Sequence, residues 1–276
     1  MLTLEYLAKQ YAITNATEPV LLNEWRDSMN GIRQHLLGIS RSGVIFVGER
    51  DMGLSSSLST KMDHLVCFLP GTIAMIAKFN ASMTLQDTHD FQLAQEILDG
   101  CIEMYLQTVT GLSPEIVFWN EAHPVRGPQR TFNLLAYHQT PPLEISPRVT
   151  SIHHNDFEIH PLDGHNLLRP ETVESLYYLY HYTQDIRYRQ VGYTIFEAFL
   201  NHTKLDVGFS SIDDVREIHT TFRDKMETFW VGETLKYFYL LFGESTWLDD
   251  HVFNTEAHPF PIFELVPELQ NIVLKL

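Results

Sequence analysis

Apolar and aromatic side chains recur at intervals of three or four residues along much of the chain, and this spacing most limits its fold. Residues 171–203 give the clearest example, in two blocks separated around Thr183 to Asp185. A stripe with a period near 3.6 residues is typical of a helix that buries one face. Two such blocks joined by a short break predict a helical hairpin.

The same spacing predicts further helices over residues 20–37, 90–109 and 222–243. Short apolar runs at residues 43–48 and 208–215 predict strands, each fitting a hairpin inserted between helices. Strand signals are otherwise few. The sequence therefore favours an all-α protein with short β-hairpin insertions.

The parts of the chain follow one another without a linker of flexible composition, so we expect stacked helical hairpins in a single domain, residues 1–276. Residues 119–163 contain six prolines and little periodicity, and they are predicted to form a surface loop insertion. No internal repeat is evident above the level of paired helices.

Charge and hydropathy exclude some partners. The chain has 19 basic and 35 acidic residues, a net charge of −16, so a nucleic-acid backbone would be repelled. No run of about 18 apolar residues occurs, as a membrane-spanning helix requires. Three glycosylation motifs, at Asn15, Asn80 and Asn201, would have meaning only in a secretory compartment.

The two cysteines, Cys67 and Cys101, are too few for a zinc site of the CxxC type. Their spacing alone leaves two interpretations, a pair of buried thiols or one disulfide that links two helices. We favour the buried thiols on spacing alone.

Two carboxylates follow a proline at the start of a predicted helix. Pro170 suits the first helical position, so Glu171 and Glu174 fall in the first turn and lie three residues apart on one face. They could share one chemical site. The alternative is ordinary helix-start chemistry, because the helix dipole favours acidic side chains there.

Three more polar residues have apolar or aromatic neighbours. Glu233 follows an aromatic segment and could instead pair with Lys236 three residues later. Glu115 has similar surroundings, and His64 is as readily explained as a hydrogen-bonded core histidine. Carboxylates beside aromatic faces are what sugar hydrolysis requires: one acid, one base and a surface on which the ring stacks. Their oxygens also suit a hard cation.

Five segments in order make a specific resemblance: MDHLVCFLPG, GLSPEI, NLLRPETVESLYYLY, RDKMETFWVGETLKYFYLLF and VFNTEAHP. They resemble the class I α-1,2-mannosidases, glycoside hydrolase family 47, from about Leu4 to Ile262. The resemblance implies the C-terminal part of an (α/α)7 barrel of helical hairpins, plugged at one end by a β-hairpin. It also implies calcium-dependent, inverting removal of terminal α-1,2-linked mannose from oligomannose N-glycans on glycoproteins.

The resemblance also implies roles for individual residues. It makes Glu171 the general base and Thr255 the calcium ligand through its hydroxyl and carbonyl. Phe229 would stack on the mannose, and Cys67 and Cys101 would form a disulfide. The other implied positions are the pocket residues Arg169, His64, Glu115 and Glu5, and the carboxylates that hold the water ligands of calcium, Glu171, Glu174, Glu233 and Glu256.

In the family, a catalytic aspartate aligns with Met1 and the general acid belongs to an earlier segment. The 276 residues alone are therefore expected to be inactive. The alternative is a non-catalytic protein that binds mannose or another partner. The resemblance places the full-length form in the endoplasmic reticulum or Golgi lumen, as a type II membrane protein with an anchor that this chain lacks.

Overall fold

Helices dominate the computed structural model, which describes residues 2–79, 85–120, 123–124, 151 and 155–264. Eight α-helices lie in that part of the chain. They are α1 (Leu2–Ile13), α2 (Pro19–His35), α3 (Leu69–Phe79), α4 (Leu85–Leu106), α5 (Glu171–Thr183), α6 (Ile186–His202), α7 (Leu235–Phe242) and α8 (Trp247–Asp250).

The helices pack in two layers. Helices α1, α3, α5 and α7 contact one another in that order and form the inner layer, while α2, α4 and α6 each pack against the inner helix that precedes them in the chain. Residues 172–179 of α5 are all buried, as expected of a helix that is covered on every side. The predicted stack of helical hairpins is confirmed.

The predicted hairpin at residues 171–203 is also confirmed. Helix α5 ends at Gln184, which has a left-handed backbone conformation (φ 58°), and Asp185 then caps α6 by accepting a hydrogen bond from the Arg187 backbone N–H at 3.0 Å. Pro170 lies one residue earlier than predicted, immediately before the first helical residue. Its fixed φ still directs the chain into the helix.

Short antiparallel strands form three sheets. In chain order they are β1 (Leu37–Ile39), β2 (Ile45–Val47), β3 (Lys61–Asp63), β4 (Ile116–Trp119), β5 (His123–Pro124), β6 (Phe157–Glu158), β7 (His251–Phe253) and β8 (Pro259–Pro261). The sheet orders are β2-β1-β5, β3-β4-β6 and β7-β8. The strand predicted at residues 43–48 is confirmed as β2, and Gly38 opposite it is required because a Cβ there would lie 2.3 Å from the Phe46 ring.

One predicted strand is wrong, and one predicted helix is confirmed only from its second turn onward. Residues 208–215 form only isolated bridges, in which Ile212 pairs with Asn166 and Phe222, rather than a strand. The helix predicted at 222–243 begins only at residue 228, and residues 230–234 are π-helical. Asp224 is left-handed (φ 49°), and the backbone groups on either side of it bond to Ser211, so this segment cannot continue a helix.

The remaining predicted helices are confirmed with shifted ends, as α2 and α4. Most of residues 119–163 lies outside the described part of the chain, so the loop insertion stays a prediction; β6 lies near its end. Met1 and Asn80 lie outside it too. Among the helices that the structure describes, none is both long enough and apolar enough to cross a membrane.

Candidate active site

Glu171, the first residue of α5, is held by a buried histidine. His64 Nδ1 lies 3.0 Å from Glu171 Oε2, and His64 Nε2 lies 2.8 Å from the Tyr105 hydroxyl and 3.0 Å from Thr172 Oγ1. Burial raises the pKa of Tyr105, so its hydroxyl stays protonated. With a hydrogen on Nδ1, His64 donates to Glu171 while Nε2 lies beside the two hydroxyls, and this contact fixes the carboxylate.

Arg169, two residues earlier, joins the loop before β4 to the π-helical segment. Its Nε lies 2.9 and 2.7 Å from the two oxygens of Glu115, and its guanidinium lies 5.8 Å from the Phe229 ring centre. Leu168 before it is buried and left-handed (φ 64°), a conformation that costs a non-glycine residue energy. Asn166 Oδ1 accepts from Leu168 N at 2.9 Å, and Thr234 Oγ1 donates to the Leu168 carbonyl at 2.7 Å.

Glu174, one turn along α5, is paired with a lysine of α1. Lys9 Nζ lies 3.1 Å from Glu174 Oε1 and 2.6 Å from Glu5 Oε1, and Tyr237 donates to Glu174 Oε1 at 3.0 Å. All these groups are buried. Burial raises the pKa of Glu174, the Lys9 ammonium opposes that rise, and the Glu5 carboxylate adds to it.

Glu233 lies on the π-helical turn that precedes α7. Burial, together with the negative charges of Glu171, Glu174 and Glu256, raises the pKa of Glu233 to about 7. The predicted alternative of a helical ion pair is wrong, because the Lys236 ammonium instead donates to the Ala257 carbonyl at 2.7 Å. A π-helical turn, which contains an extra residue, often occurs at a functional site, and here the turn carries Glu233.

Thr255 lies on the turn between β7 and β8. The Asn254 side chain shapes this turn by accepting from the backbone N–H groups of Glu256 (3.0 Å) and His258 (2.8 Å). The Thr255 hydroxyl lies 3.0 Å from the hydroxyl of Tyr6 on α1. The side chain of Glu256 is exposed, and His258 lies 3.8 Å from it.

The carboxylates that act on Glu233 form the candidate cation site. No set of three His, Cys, Asp or Glu side chains in the described residues forms a metal-binding group. Even so, the negative charges of Glu171, Glu174 and Glu256 act on Glu233, whose pKa is raised first by burial and then by these charges. Oxygen donors with surplus negative charge are what a hard cation such as Ca²⁺ requires, so the residues fit calcium.

The structure brings most of the predicted positions together. Glu171 is linked to His64 and Glu115 to Arg169, and Glu5 is linked through Lys9 to Glu174. Cys67 and Cys101 form a disulfide between the short 3₁₀ helix after β3 and α4, so our preference for free thiols on spacing alone was wrong and the pairing implied by the resemblance is confirmed.

Four residues of the site were missed from the sequence: Lys9, Tyr6, Tyr105 and Thr172. Only Lys9 had a usable signal, since it follows Glu5 by four residues and such pairs attract on a helix. Tyr105 and Thr172 act through His64, and Tyr6 reaches Thr255 across 249 residues. Contacts of that separation leave no local pattern.

Comparison with known proteins identifies the family of this chain. The model of glycosyl hydrolase family 47 matches residues 3–262. A mannosyl-oligosaccharide 1,2-alpha-mannosidase of Candida albicans is 43% identical over 282 aligned positions, which cover 94% of this chain and 45% of the relative. The endoplasmic reticulum mannosyl-oligosaccharide 1,2-alpha-mannosidase of Homo sapiens is 42% identical over 265 positions, which cover 94% of this chain and 33% of the relative.

A solved structure is also similar. The alpha-1,2-mannosidase from Trichoderma reesei matches with a TM-score of 0.75 and 25% identity, covering 94% of this chain and 50% of that chain. The chain belongs to glycosyl hydrolase family 47, and its predicted fold class, part of an (α/α)7 barrel, is confirmed. It spans less than half the length of these two relatives.

Proposed function

We propose that this chain supplies the general base and the calcium-binding side of an inverting glycosidase that removes terminal α-1,2-linked mannose from oligomannose N-glycans. One observation carries the proposal: in a member of glycosyl hydrolase family 47, the charges of Glu171, Glu174 and Glu256 converge on Glu233. The names of the relatives support the substrate.

Glu171 is the proposed base. His64 holds its Oε2, while Oε1 accepts no hydrogen bond from the residues that the structure describes and can therefore take a proton from water. An inverting glycosidase needs such a carboxylate to activate the attacking water. Because the imidazole is itself fixed by Tyr105 and Thr172, the direction of the carboxylate is set before substrate binds.

Arg169, Glu115 and Phe229 form the proposed sugar-binding wall. The Nε–H of Arg169, shared between the two oxygens of Glu115, holds the guanidinium near the ring of Phe229. An aromatic face suits the C–H surface of a pyranose, while the charged groups suit its hydroxyls. The wall thus has both kinds of surface that a sugar presents.

Calcium would be held by the hydroxyl and carbonyl oxygens of Thr255, with Glu171, Glu174, Glu233 and Glu256 holding its water ligands. When bound, it would supply positive charge that offsets these carboxylates and attracts sugar hydroxyls. Glu174 Oε2 and the Thr255 carbonyl oxygen accept no hydrogen bond within the described part of the chain, so both remain available.

Protonation of the leaving oxygen needs a general acid, and we propose that the 276 residues alone bind mannose without cleaving it. Binding without cleavage is also the second candidate function. The lumen of the endoplasmic reticulum is the proposed location for the full-length form, since several relatives are named for it; the Golgi and a type II anchor remain proposals. The disulfide fits an oxidising compartment.

The test measures binding and cleavage together. Calorimetry with α-1,2-linked mannobiose should show binding only when Ca²⁺ is present, and Thr255→Ala should abolish it. Glu158→Gln, an exposed change on β6, is the matched control and should bind normally. Equal binding of a glucose disaccharide, or binding without Ca²⁺, would contradict the proposal, whereas mannose release would disprove only the inactivity of the isolated chain.

A further inference from the structure

Two lysines from different helices reach the same turn, the one that carries Thr255. Lys9 Nζ on α1 lies 3.4 Å from the Asn254 carbonyl oxygen, and Lys236 Nζ on α7 lies 2.7 Å from the Ala257 carbonyl oxygen. These carbonyls are the ones that flank Thr255 and Glu256. The turn is therefore bonded on both sides by ammonium groups from two inner helices.

The bonds of Lys9 leave its ammonium group no spare hydrogen. Its three N–H groups have three partners, on α1 (Glu5), on α5 (Glu174) and on the turn (Asn254). The side chain is 4% exposed, so solvent cannot substitute for a lost partner. Lys9 therefore couples the position of the turn to the carboxylate of α5.

The turn needs such support because its own conformation is costly. Ala257 is fully buried and left-handed (φ 55°), an unfavourable conformation for a residue with a Cβ. Within the turn, Asn254 N donates to the His258 carbonyl at 3.0 Å and Ala257 N to the Asn254 carbonyl at 3.1 Å. Lysine bonds to the carbonyls of Asn254 and Ala257 keep that arrangement from relaxing.

The bonds also determine which oxygens of the turn stay available. The carbonyls of Asn254, Ala257 and His258 are all accepting hydrogen bonds. Those of Thr255 and Glu256 accept none from the residues that the structure describes, and the Thr255 hydroxyl contacts only Tyr6 there. The free backbone acceptors of the turn are thus the carbonyls of Thr255 and Glu256.

We propose that Lys9 and Lys236 act as positioning residues, a two-lysine clamp that holds the β7–β8 turn so that the oxygens of Thr255 face the carboxylates. Positioning of the turn follows from the contacts alone. The further consequence, that loss of the clamp weakens Ca²⁺ binding, rests on the proposed function.

Lys236 is the residue to test first, because Lys9→Met leaves two buried carboxylates without their cation and can prevent folding. Hydrogen exchange, followed by mass spectrometry without metal, reports on the amides of Glu256 and His258, which bond within the turn. Lys236→Met should speed their exchange about tenfold or more, whereas Lys236→Arg, which keeps a donor, should restore slow exchange. Lys61→Met is the control, since Lys61 pairs with Glu49 and has no bond to the β7–β8 turn among the described residues.

Calorimetry with Ca²⁺ alone separates this inference from the proposed function. Faster exchange in Lys236→Met together with a Ca²⁺ Kd raised about tenfold supports both. Faster exchange in a chain whose wild-type form binds no Ca²⁺ supports the clamp and contradicts the calcium site. Unchanged exchange at Glu256 and His258 in Lys236→Met, or a change equal to that in Lys61→Met, overturns the clamp.

Discussion

Glu174 and Glu233 lie on neighbouring inner elements of the fold and influence each other's charge, yet the chain treats them differently. Glu174 is buried against Lys9 and receives a hydrogen bond from Tyr237. Glu233 is half-buried, and the cation nearest to it along the helix, Lys236, is bonded to the turn at Ala257. Glu174 has a lysine at ion-pair distance, whereas Glu233 has none among the residues that the structure describes, and the Lys236 charge is the smallest of the influences on its pKa.

This difference distinguishes a carboxylate that is paired within the chain from one that could bind a ligand. Glu174 has Lys9 as a cation within the chain, although burial and the Glu5 carboxylate still raise its pKa to about 7. A carboxylate whose pKa is raised by burial and by other carboxylates is unfavourable until a proton or cation arrives. Glu174 therefore joins the Lys9 ion pair to the group of carboxylates around Glu233, and Glu233 is the member of that group with no ion pair among the described residues.

Replacing the internal cation should have the largest effect. Lys9→Met leaves the carboxylates of Glu5 and Glu174 buried without a partner, and we expect a loss of about 3–5 kcal/mol in the free energy of unfolding. Urea unfolding at pH 7.5 measures it. Lys61→Met removes a more exposed ion pair and should cost no more than about 1 kcal/mol. Similar losses in the two variants would show that Lys9 is not structural.

Supplying an external cation should have the next largest effect. Ca²⁺ at one hundred times its Kd should stabilise the folded chain by about 2.7 kcal/mol, seen as a rise in Tm. Thr255→Ala should remove that rise without changing the Tm measured in chelator, because among the described residues its hydroxyl bonds only to an exposed tyrosine. A Tm that rises with Ca²⁺ equally in Thr255→Ala would place the ion elsewhere.

Part of this comparison was open to prediction from the sequence. The hairpin at 171–203 and the place of Glu171 and Glu174 at a helix start follow from local spacing and from Pro170. The resemblance of ordered motifs identified the family. What local patterns could not supply was the partner of each carboxylate, since Lys9 is 165 residues from Glu174 in sequence.

Backbone departures from regular structure were equally hidden. The π-helical turn at Trp230–Thr234 and the left-handed Leu168 exist because contacts such as Thr234 to the Leu168 carbonyl stabilise them. A periodicity of apolar residues carries no information about such contacts. The sequence therefore predicted which elements carry the site, and tertiary structure decided how the side chains are presented.

Removing the unpaired carboxylate should stabilise the metal-free chain. Glu233 has a pKa of about 7 when folded and 4.5 as its ordinary value, so the folded chain keeps a proton that the unfolded chain has lost. Stability from this group is full below pH 4.5 and falls as the pH rises towards 7. Glu233→Gln should remove that fall and gain about 1 kcal/mol at pH 8, allowing for solvent screening. Urea unfolding from pH 4.5 to 8 measures it, and a steeper fall in the variant would contradict the assignment.

Neutralising the paired carboxylate should matter least at pH 8. In Glu174→Gln, Lys9 keeps Glu5 as its counter-ion, and the amide oxygen can still accept from Lys9 and Tyr237. Two acids and one lysine become one of each. The lost attraction to Lys9 is offset by the lost repulsion from Glu5 and by the lost burial of a carboxylate whose pKa is raised to about 7, so we expect a change within about 0.5 kcal/mol. A loss of about 3 kcal/mol instead would mean that Glu174, and not Glu5, is the main partner of Lys9.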